Sequence, residues 1–243
     1  MKDPFVTVVT FLWDDPERDK THSYKFGPEH VVILRNMVRR HLTIPHEFIC
    51  VSDKSHPLLK DEKIRRVPLD MSTHVPNTVF ARLFMRHPNI ACHLGKRILS
   101  LDLDCIICGN MDDIVGRTED NVLWHNPNYG LPRRAFYQTS IQLFSAGARS
   151  ELWSDFSPEW TPKWANRRRF GGAEQAWVSE RLDWDEAYWD GSHGVYGAGR
   201  GEGKGPRKVL PENAKIVFFP GGNRAPHLPE TQAEYPWCKE FYK

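Results

Sequence analysis

Apolar positions along the chain change period several times, and each change marks an element. Residues 5–13, "FVTVVTFLW", are nearly all β-branched or aromatic, with no polar alternation. A run of that kind predicts a strand covered on both faces, as in parallel sheets. The polar stretch "DDPERDKTHSY" follows as a loop. In "GPEHVVILRNMVRRHL", Val31, Leu34, Val38 and Leu42 recur at helical spacing, with Pro28 and Glu29 at the start. Proline in the first turn and an early acid are helix-start signals. "EFICVSD" (47–53) and "KIRRVPL" (63–69) predict two further strands. "NTVFARLFMRH" (77–87) predicts a helix with Val79, Leu83 and Arg86 on successive turns. "KRILSLDLDCIIC" predicts a fourth strand, interrupted by two aspartates.

The second half is less regular. "NVLWHNP" (121–127) and "YQTSIQLFSAG" (137–147) predict strands, and "GGAEQAWVSERL" (171–182) predicts a helix. Residues 191–208 hold seven glycines and predict a mobile loop. "AKIVFF" (214–219) predicts a last strand.

The order β-α-β-β-α-β with buried strands predicts an α/β fold, a mostly parallel central sheet flanked by helices with a Rossmann-like N-terminal half. Ligands of such sheets sit at the carboxyl ends of the strands. Asp14, Asp53 and Asp102 all fall just past predicted strand ends.

Composition narrows the picture only a little. The chain has 243 residues, 40% hydrophobic and 26% charged, within the ordinary globular range. A net charge of +2 demands no nucleic-acid or membrane partner, although "RRVP", "LPRRAF" and "ANRRRFGG" are local basic clusters. The five cysteines, Cys50, Cys92, Cys105, Cys108 and Cys238, are odd in number, and three lie in apolar surroundings. They are expected to be reduced core residues of an intracellular, cytoplasmic protein. Met1–Lys2–Asp3–Pro4 leads straight into a strand-like run, so no signal peptide is expected. No apolar run approaches the ~20 residues of a membrane span.

The chemistry concentrates at "RILSLDLDCIICGNMDDI" (97–114), where Asp102 and Asp104 flank Leu103 inside an apolar run. Two carboxylates two residues apart on a strand point to one side and form a dense negative site. Left without a counter-charge they are costly. A hard divalent cation, Mg²⁺ or Mn²⁺, resolves that cost and leaves coordination positions open to phosphates.

The same segment resembles the D-x-D region of glycosyltransferases with the GT-A fold, close to the family 8 group that includes glycogenin and bacterial galactosyltransferases. "FARLFM" (80–85) is similar to the helix before the motif, and "GNMDDI" to the turn after it. "QTSIQLFSAG", "GGAEQAWVSERL" and "KIVFFPGGNRAPH" resemble, in order, the acceptor-facing strand, the D-Q helix start and the closing segment. The likeness implies one GT-A domain over 1–243, with a nucleotide-binding half at 1–115 and an acceptor-binding half at 116–243.

Residue by residue, the resemblance implies that Asp102, Leu103 and Asp104 bind the sugar nucleotide, the two aspartates through Mn²⁺ or Mg²⁺. Thr10, Phe11 and Trp13 would line the nucleoside pocket, and Arg82 would reach the donor phosphates or sugar. Thr139 and Ser140 would face the transferred sugar or the acceptor. Glu174 and Gln175 would take the catalytic D-Q place. Gly221, Gly222 and Arg224 would close over the diphosphate. The family's closing-loop histidine, a metal ligand, is replaced by Pro220, and His227 is the substitute considered. The implied activity is metal-dependent transfer of a sugar from a nucleoside diphosphate donor, UDP-linked, to an acceptor hydroxyl, with retention. The acceptor could be a glycan, a protein or a modified nucleic acid base. Two alternatives stand beside it: a non-catalytic sugar-nucleotide-binding protein on a degenerate transferase fold, and a nucleotidyltransferase. The latter should carry a glycine-rich loop after the first strand, and "DDPERDK" is not one.

Overall fold

A computed structural model describes residues 5–13, 26–53, 56–60, 63–68, 78–125, 135–168, 173–199, 208–220 and 224–243. Asp14, Gly221 and Gly222 lie outside the described residues.

The strands predicted in the first half form. β1 spans Val6–Leu12, β2 His46–Ser52, β3 Arg65–Pro68 and β4 Arg97–Leu101. Helix α1 spans Pro28–His41, with Glu29 in its first turn and Arg39, Arg40 and His41 in its last. Charges so placed complement the helix dipole. The Gly27 amide donates to His30 Nδ1 at 2.8 Å, which occupies one donor just ahead of the helix.

Within 77–87, the described residues 78–87 depart from expectation. Thr78–Arg86 is a 3₁₀ helix, and a separate helix α2, Pro88–Leu94, follows it. Pro88 disfavours helical geometry at His87, so the first helix stops there. The His87 side chain then accepts from the Asn89 amide and starts α2. In a 3₁₀ helix, side chains three apart eclipse. Phe80, Leu83 and Arg86 therefore share one row and are buried, while Arg82 points elsewhere.

The chain continues through β5 (Cys105–Ile107), α3 (Asp112–Val115), β6 (Asn121–His125), β7 (Tyr137–Ser145), α4 (Glu151–Ser154), α5 (Thr161–Arg168), α6 (Ala173–Arg181), β8 (Ala187–Trp189), β9 (Val195–Gly197), β10 (Ile216–Phe218), α7 (Pro229–Glu234) and α8 (Cys238–Phe241). Within 191–208, expected as loop throughout, the described residues include regular structure: a 3₁₀ turn at Gly191–His193 leads into β9. Gly194 makes the corner with φ +80, a conformation that glycine adopts without steric cost.

Among the described residues the main sheet has seven strands in the order β3-β2-β1-β4-β7-β6-β8. β1 is parallel to β2 and β4, β2 to β3, and β6 to β8; β7 is antiparallel to both neighbours. The mostly parallel α/β architecture expected from the sequence is therefore present. Every strand except β7 ends at one edge, which carries Leu12, Ser52, Leu101, His125 and Trp189. A smaller sheet has the order β5-β10-β9.

Both faces of the main sheet are covered, as the unalternating pattern of β1 requires. Val6, Val8 and Leu12 pack with Val31, Leu34 and Val38 of α1 and with β5 and β10. Val9 and Phe11 pack on the other face with Ala81, Met85 and Leu94. Phe80 and Leu83 join Trp177, Val178 and Leu182 in a further cluster. No described helix is long and apolar enough to cross a membrane. Cys50, Cys105, Cys108 and Cys238 are free thiols.

Candidate active site

The aspartate pair does not lie on a strand. β4 ends at Leu101, β5 begins at Cys105, and Asp102–Asp104 form the turn between them. The same-side geometry expected of a strand is replaced by a tight reversal. Leu103 is 6% exposed and plugs the core beneath. The Asp102 amide donates to the Ser140 carbonyl at 3.0 Å, and the Cys105 amide donates to the Asp102 carbonyl at 3.2 Å. The turn thus leaves one sheet and enters the other under hydrogen bonds at each end.

The opposite wall is an irregularity in β7. Leu123 pairs with Gln142, yet the next residue, Trp124, pairs with Gln138, so the three residues 139–141 have no β6 partner. Bulges re-aim side chains and concentrate beside functional sites. This one directs Thr139 and Ser140, both buried, to the end of β4. A hydrogen-bonded row behind it fixes its shape. Arg86, 1% exposed, donates to Asn121 Oδ1 at 3.0 Å and Gln142 Oε1 at 2.8 Å, and Gln142 Nε2 donates to the Thr139 carbonyl at 3.3 Å.

Arg82 joins these walls. Its Nη1 pairs with Asp102 Oδ1 and its Nη2 pairs with Glu174 Oε2. Nη2 also donates to Thr139 Oγ1 at 3.3 Å, and Thr139 Oγ1 donates to Glu174 Oε2 at 3.1 Å. Burial alone would lower the Arg82 pKa, but the charges of Asp102 and Glu174 outweigh it and hold the guanidinium above its ordinary value. Glu174, in the first turn of α6, is 1% exposed. Burial pushes its carboxyl up to about 7, against the opposing pull of Arg82. Its Oε1 is buried without a hydrogen-bond partner among the described residues. Gln175, beside it, is half-buried.

The other residues singled out in the sequence spread around this centre. Thr10 is fully buried near the end of β1, its Oγ1 without a hydrogen-bond partner among the described residues. Phe11 and Trp13 meet edge to face at 6.1 Å between ring centres. Arg224 is exposed, and its guanidinium lies against Gly199. His227 packs at 4.4 Å from the His30 ring and 6.4 Å from Tyr242. Burial and the neighbouring His30 lower its pKa, which favours the neutral form that ligates metals. Burial and then the charge of Asp104 raise the Tyr242 pKa, so Tyr242 lies within the electrostatic reach of Asp104 and packs beside His227.

The donor chemistry of this edge suits a hard cation. Carboxylate oxygens from Asp102 and Asp104 are the ligand type that Mg²⁺ and Mn²⁺ take. Among the described residues, however, no three His, Cys, Asp or Glu side chains converge as a cation site.

Sequence reasoning did not single out Gln138 or the Arg86 row. A glutamine inside the apolar run "YQTSIQLF" was the available signal for Gln138.

An α/β sheet of this order, with its acidic turn at the carboxyl edge, is the GT-A fold. Solved structures with the same fold include the galactosyltransferase LgtC in complex with donor and acceptor sugar analogs. It has a TM-score of 0.61 and 8% identity, with 98% of this chain and 96% of that chain covered. The glycosyltransferase GlyE of Streptococcus pneumoniae TIGR4 has a TM-score of 0.62 and 12% identity, with 92% of this chain and 57% of that one covered. The apo form of GlyE has a TM-score of 0.51 and 11% identity, with 77% and 45% covered. No family model and no curated protein matches the sequence. At these identities the likeness establishes the fold.

Proposed function

We propose that this protein is a glycosyltransferase that moves a sugar from a nucleoside diphosphate sugar, UDP-linked, to an acceptor hydroxyl. One observation carries the proposal: the Asp102–Asp104 turn stands at the carboxyl edge of a GT-A sheet, with Arg82, Thr139 and Glu174 bonded around it. Asp102 and Asp104 are the residues that would hold Mn²⁺ or Mg²⁺; His227, the third ligand considered from the sequence, packs on His30 and, among the described residues, does not converge with them. When bound, the cation supplies positive charge to a departing diphosphate.

The protein's own groups define the rest. Arg82 brings a fixed positive charge to the end of β4. Its bonds to Asp102 and Glu174 orient it before any ligand arrives, which is how electrostatic stabilisation avoids reorganisation during reaction. Glu174 Oε2 is engaged by Arg82 and Thr139. When ionised, a carboxylate so held would lend negative charge to a sugar ring that develops positive charge, with Gln175 beside it. Transfer with retention is the proposed outcome. Trp13, half-buried just past β1 and braced by the buried Phe11 ring, would supply aromatic surface for a base. A glycan, a protein or a modified nucleic acid base remains the proposed acceptor range.

The competing reading is a sugar-nucleotide-binding protein without turnover. It is favoured by the Arg82–Asp102 ion pair, which occupies an oxygen that a cation would need. The test is UDP release from a panel of UDP-sugars with and without Mn²⁺, alongside UDP binding. Mn²⁺-dependent turnover supports the transferase. Binding without turnover supports the competitor, and neither binding nor turnover sinks both. The configuration of the product's anomeric carbon decides retention.

A further inference from the structure

Arg86 is a buried charge that the proposed chemistry leaves unused. It is 1% exposed, and among the described residues its acceptors are all neutral: Asn121 Oδ1 at 3.0 Å, Gln142 Oε1 at 2.8 Å and the Ala148 carbonyl at 3.2 Å. The guanidinium also lies over the Phe144 ring, 3.7 Å from its centre. Burial pulls its pKa down to about 9, which leaves it charged at neutral pH. A buried cation with no carboxylate bonded to it is costly. Packing alone would be served by a methionine of similar length.

The amides that Arg86 touches show what the charge achieves. Arginine donates hydrogen bonds and never accepts them. Gln142 therefore turns Oε1 toward Arg86, and its Nε2 donates to the Thr139 carbonyl at 3.3 Å. Asn121 is oriented in the same way, with Nδ2 donating to Glu186 Oε2 at 2.9 Å. Thr139 is one of the three bulged residues without a β6 partner. The Gln142 amide gives its carbonyl a donor in place of the one that a regular ladder would supply. On the side chain of the same residue, Thr139 Oγ1 accepts from Arg82 and donates to Glu174. A continuous line of bonds thus runs from Arg86 through Gln142 and Thr139 to the charged pair at the carboxyl edge. Arg86 also lies within electrostatic reach of Glu174.

We propose that Arg86 is a positioning residue for sugar transfer, which fixes the Thr139 hydroxyl against Arg82 and Glu174 by way of the Gln142 amide. This rests on the glycosyltransferase proposal above. Arg86 acts on geometry alone, and misplacement of a reacting group by about 1 Å costs up to about a hundredfold in rate.

The test uses the full chain, with UDP release from the UDP-sugar that wild type turns over fastest in Mn²⁺. Gln142→Glu keeps an acceptor for Arg86 and removes the donor to Thr139. Its kcat should fall about tenfold, with the donor KM and the affinity for UDP changed less than about twofold. Gln142→Met removes the same donor without adding a charge, should show the same split, and guards against misfolding of the first variant. Thr139→Val leaves the Arg82–Glu174 pair in place, so turnover should persist at a reduced level. In that background Gln142→Glu should lose less than about twofold in kcat, because no hydroxyl remains to be positioned. A purely structural role predicts the same fold loss in both backgrounds. That result, wild-type kcat in a folded variant, or failure of both Gln142 variants to fold would make the Arg86 row structural. The inference then falls while the transferase proposal stands. If wild type releases UDP from no UDP-sugar, the transferase proposal itself falls, and this inference with it.

Discussion

The guanidinium of Arg82 links Asp102, at the end of β4, to Glu174, at the start of α6. Sequence separation hides this bridge, and it gives the edge of the sheet one shared electrostatic centre. At pH above about 7, where Glu174 is ionised, Arg82→Ala leaves a fully buried carboxylate without its counter-ion, and breaking a buried pair in this way costs about 3–5 kcal/mol. Urea unfolding should show a loss in that range. Arg82→Lys keeps the charge but cannot fork between two carboxylates. Its kcat/KM should fall by on the order of a hundredfold, with a smaller loss of stability than Arg82→Ala. Equal activity in wild type and Arg82→Lys would remove Arg82 from the site.

Glu174 makes stability depend on pH in an unusual direction. Its folded pKa of about 7 lies above the ordinary value of 4.5. The folded state therefore holds a proton that the unfolded state releases between those values. The resulting stabilisation is complete below about 4.5 and is lost as pH rises through about 7. The interval corresponds to roughly 3 kcal/mol. Glu174→Gln keeps the shape without the ionisation, so its stability between pH 4.5 and 7.5 should be flatter than wild type. Parallel melting curves for the two proteins would contradict the assignment.

Asp104→Ala separates the ligand from the fold. Turnover should drop by roughly a hundredfold or more. Mn²⁺ with UDP at about 100 times Kd should stabilise wild type by about 2.7 kcal/mol, and that increment should vanish in the variant. Retained Mn²⁺-dependent stabilisation would place the cation elsewhere.

Gly194→Ala tests the second sheet. A Cβ there would sit 2.3 Å from the Asn213 carbonyl oxygen, and φ is +80. The Gly194 carbonyl also accepts the Lys215 and Ile216 amides at 2.9 and 3.1 Å. The strain should cost on the order of 1–3 kcal/mol. Denaturant unfolding measures it, and no change would mean that β9 tolerates another corner.

The strands and the long first helix were legible because their signals are local: unbroken apolar runs for β1 and β2, and helical spacing from Val31 to Leu42 in α1. Residues 78–86 were harder, since the same spacing serves a helix of either pitch, and Pro88 decides only where it stops. The stretch 191–208 read as loop because its glycines mask a short strand whose pairing with β10 is non-local. Asp102 and Asp104 stood out as charges inside an apolar run. Their turn geometry did not, because it depends on β4 and β5 belonging to different sheets. The β7 bulge was hidden for the same reason: register belongs to a pair of strands, and "YQTSIQLFS" alone carries no trace of its partner. His227 was drawn into consideration by position along the chain, while its packing on His30 and Tyr242 comes from folding.

The turn at Asp102–Asp104 is anchored on one side by the seven-stranded sheet and on the other by the three-stranded one, with Leu103 sunk between them. Most acidic loops must surrender conformational freedom when they seize a ligand, and affinity is diminished accordingly. Here that ordering was completed when the chain folded. The carboxylates meet an incoming guest as a rigid template, so calorimetry should register little ordering entropy at this turn, and mutations in either sheet should be felt there as small changes of angle before they are felt as loss of structure.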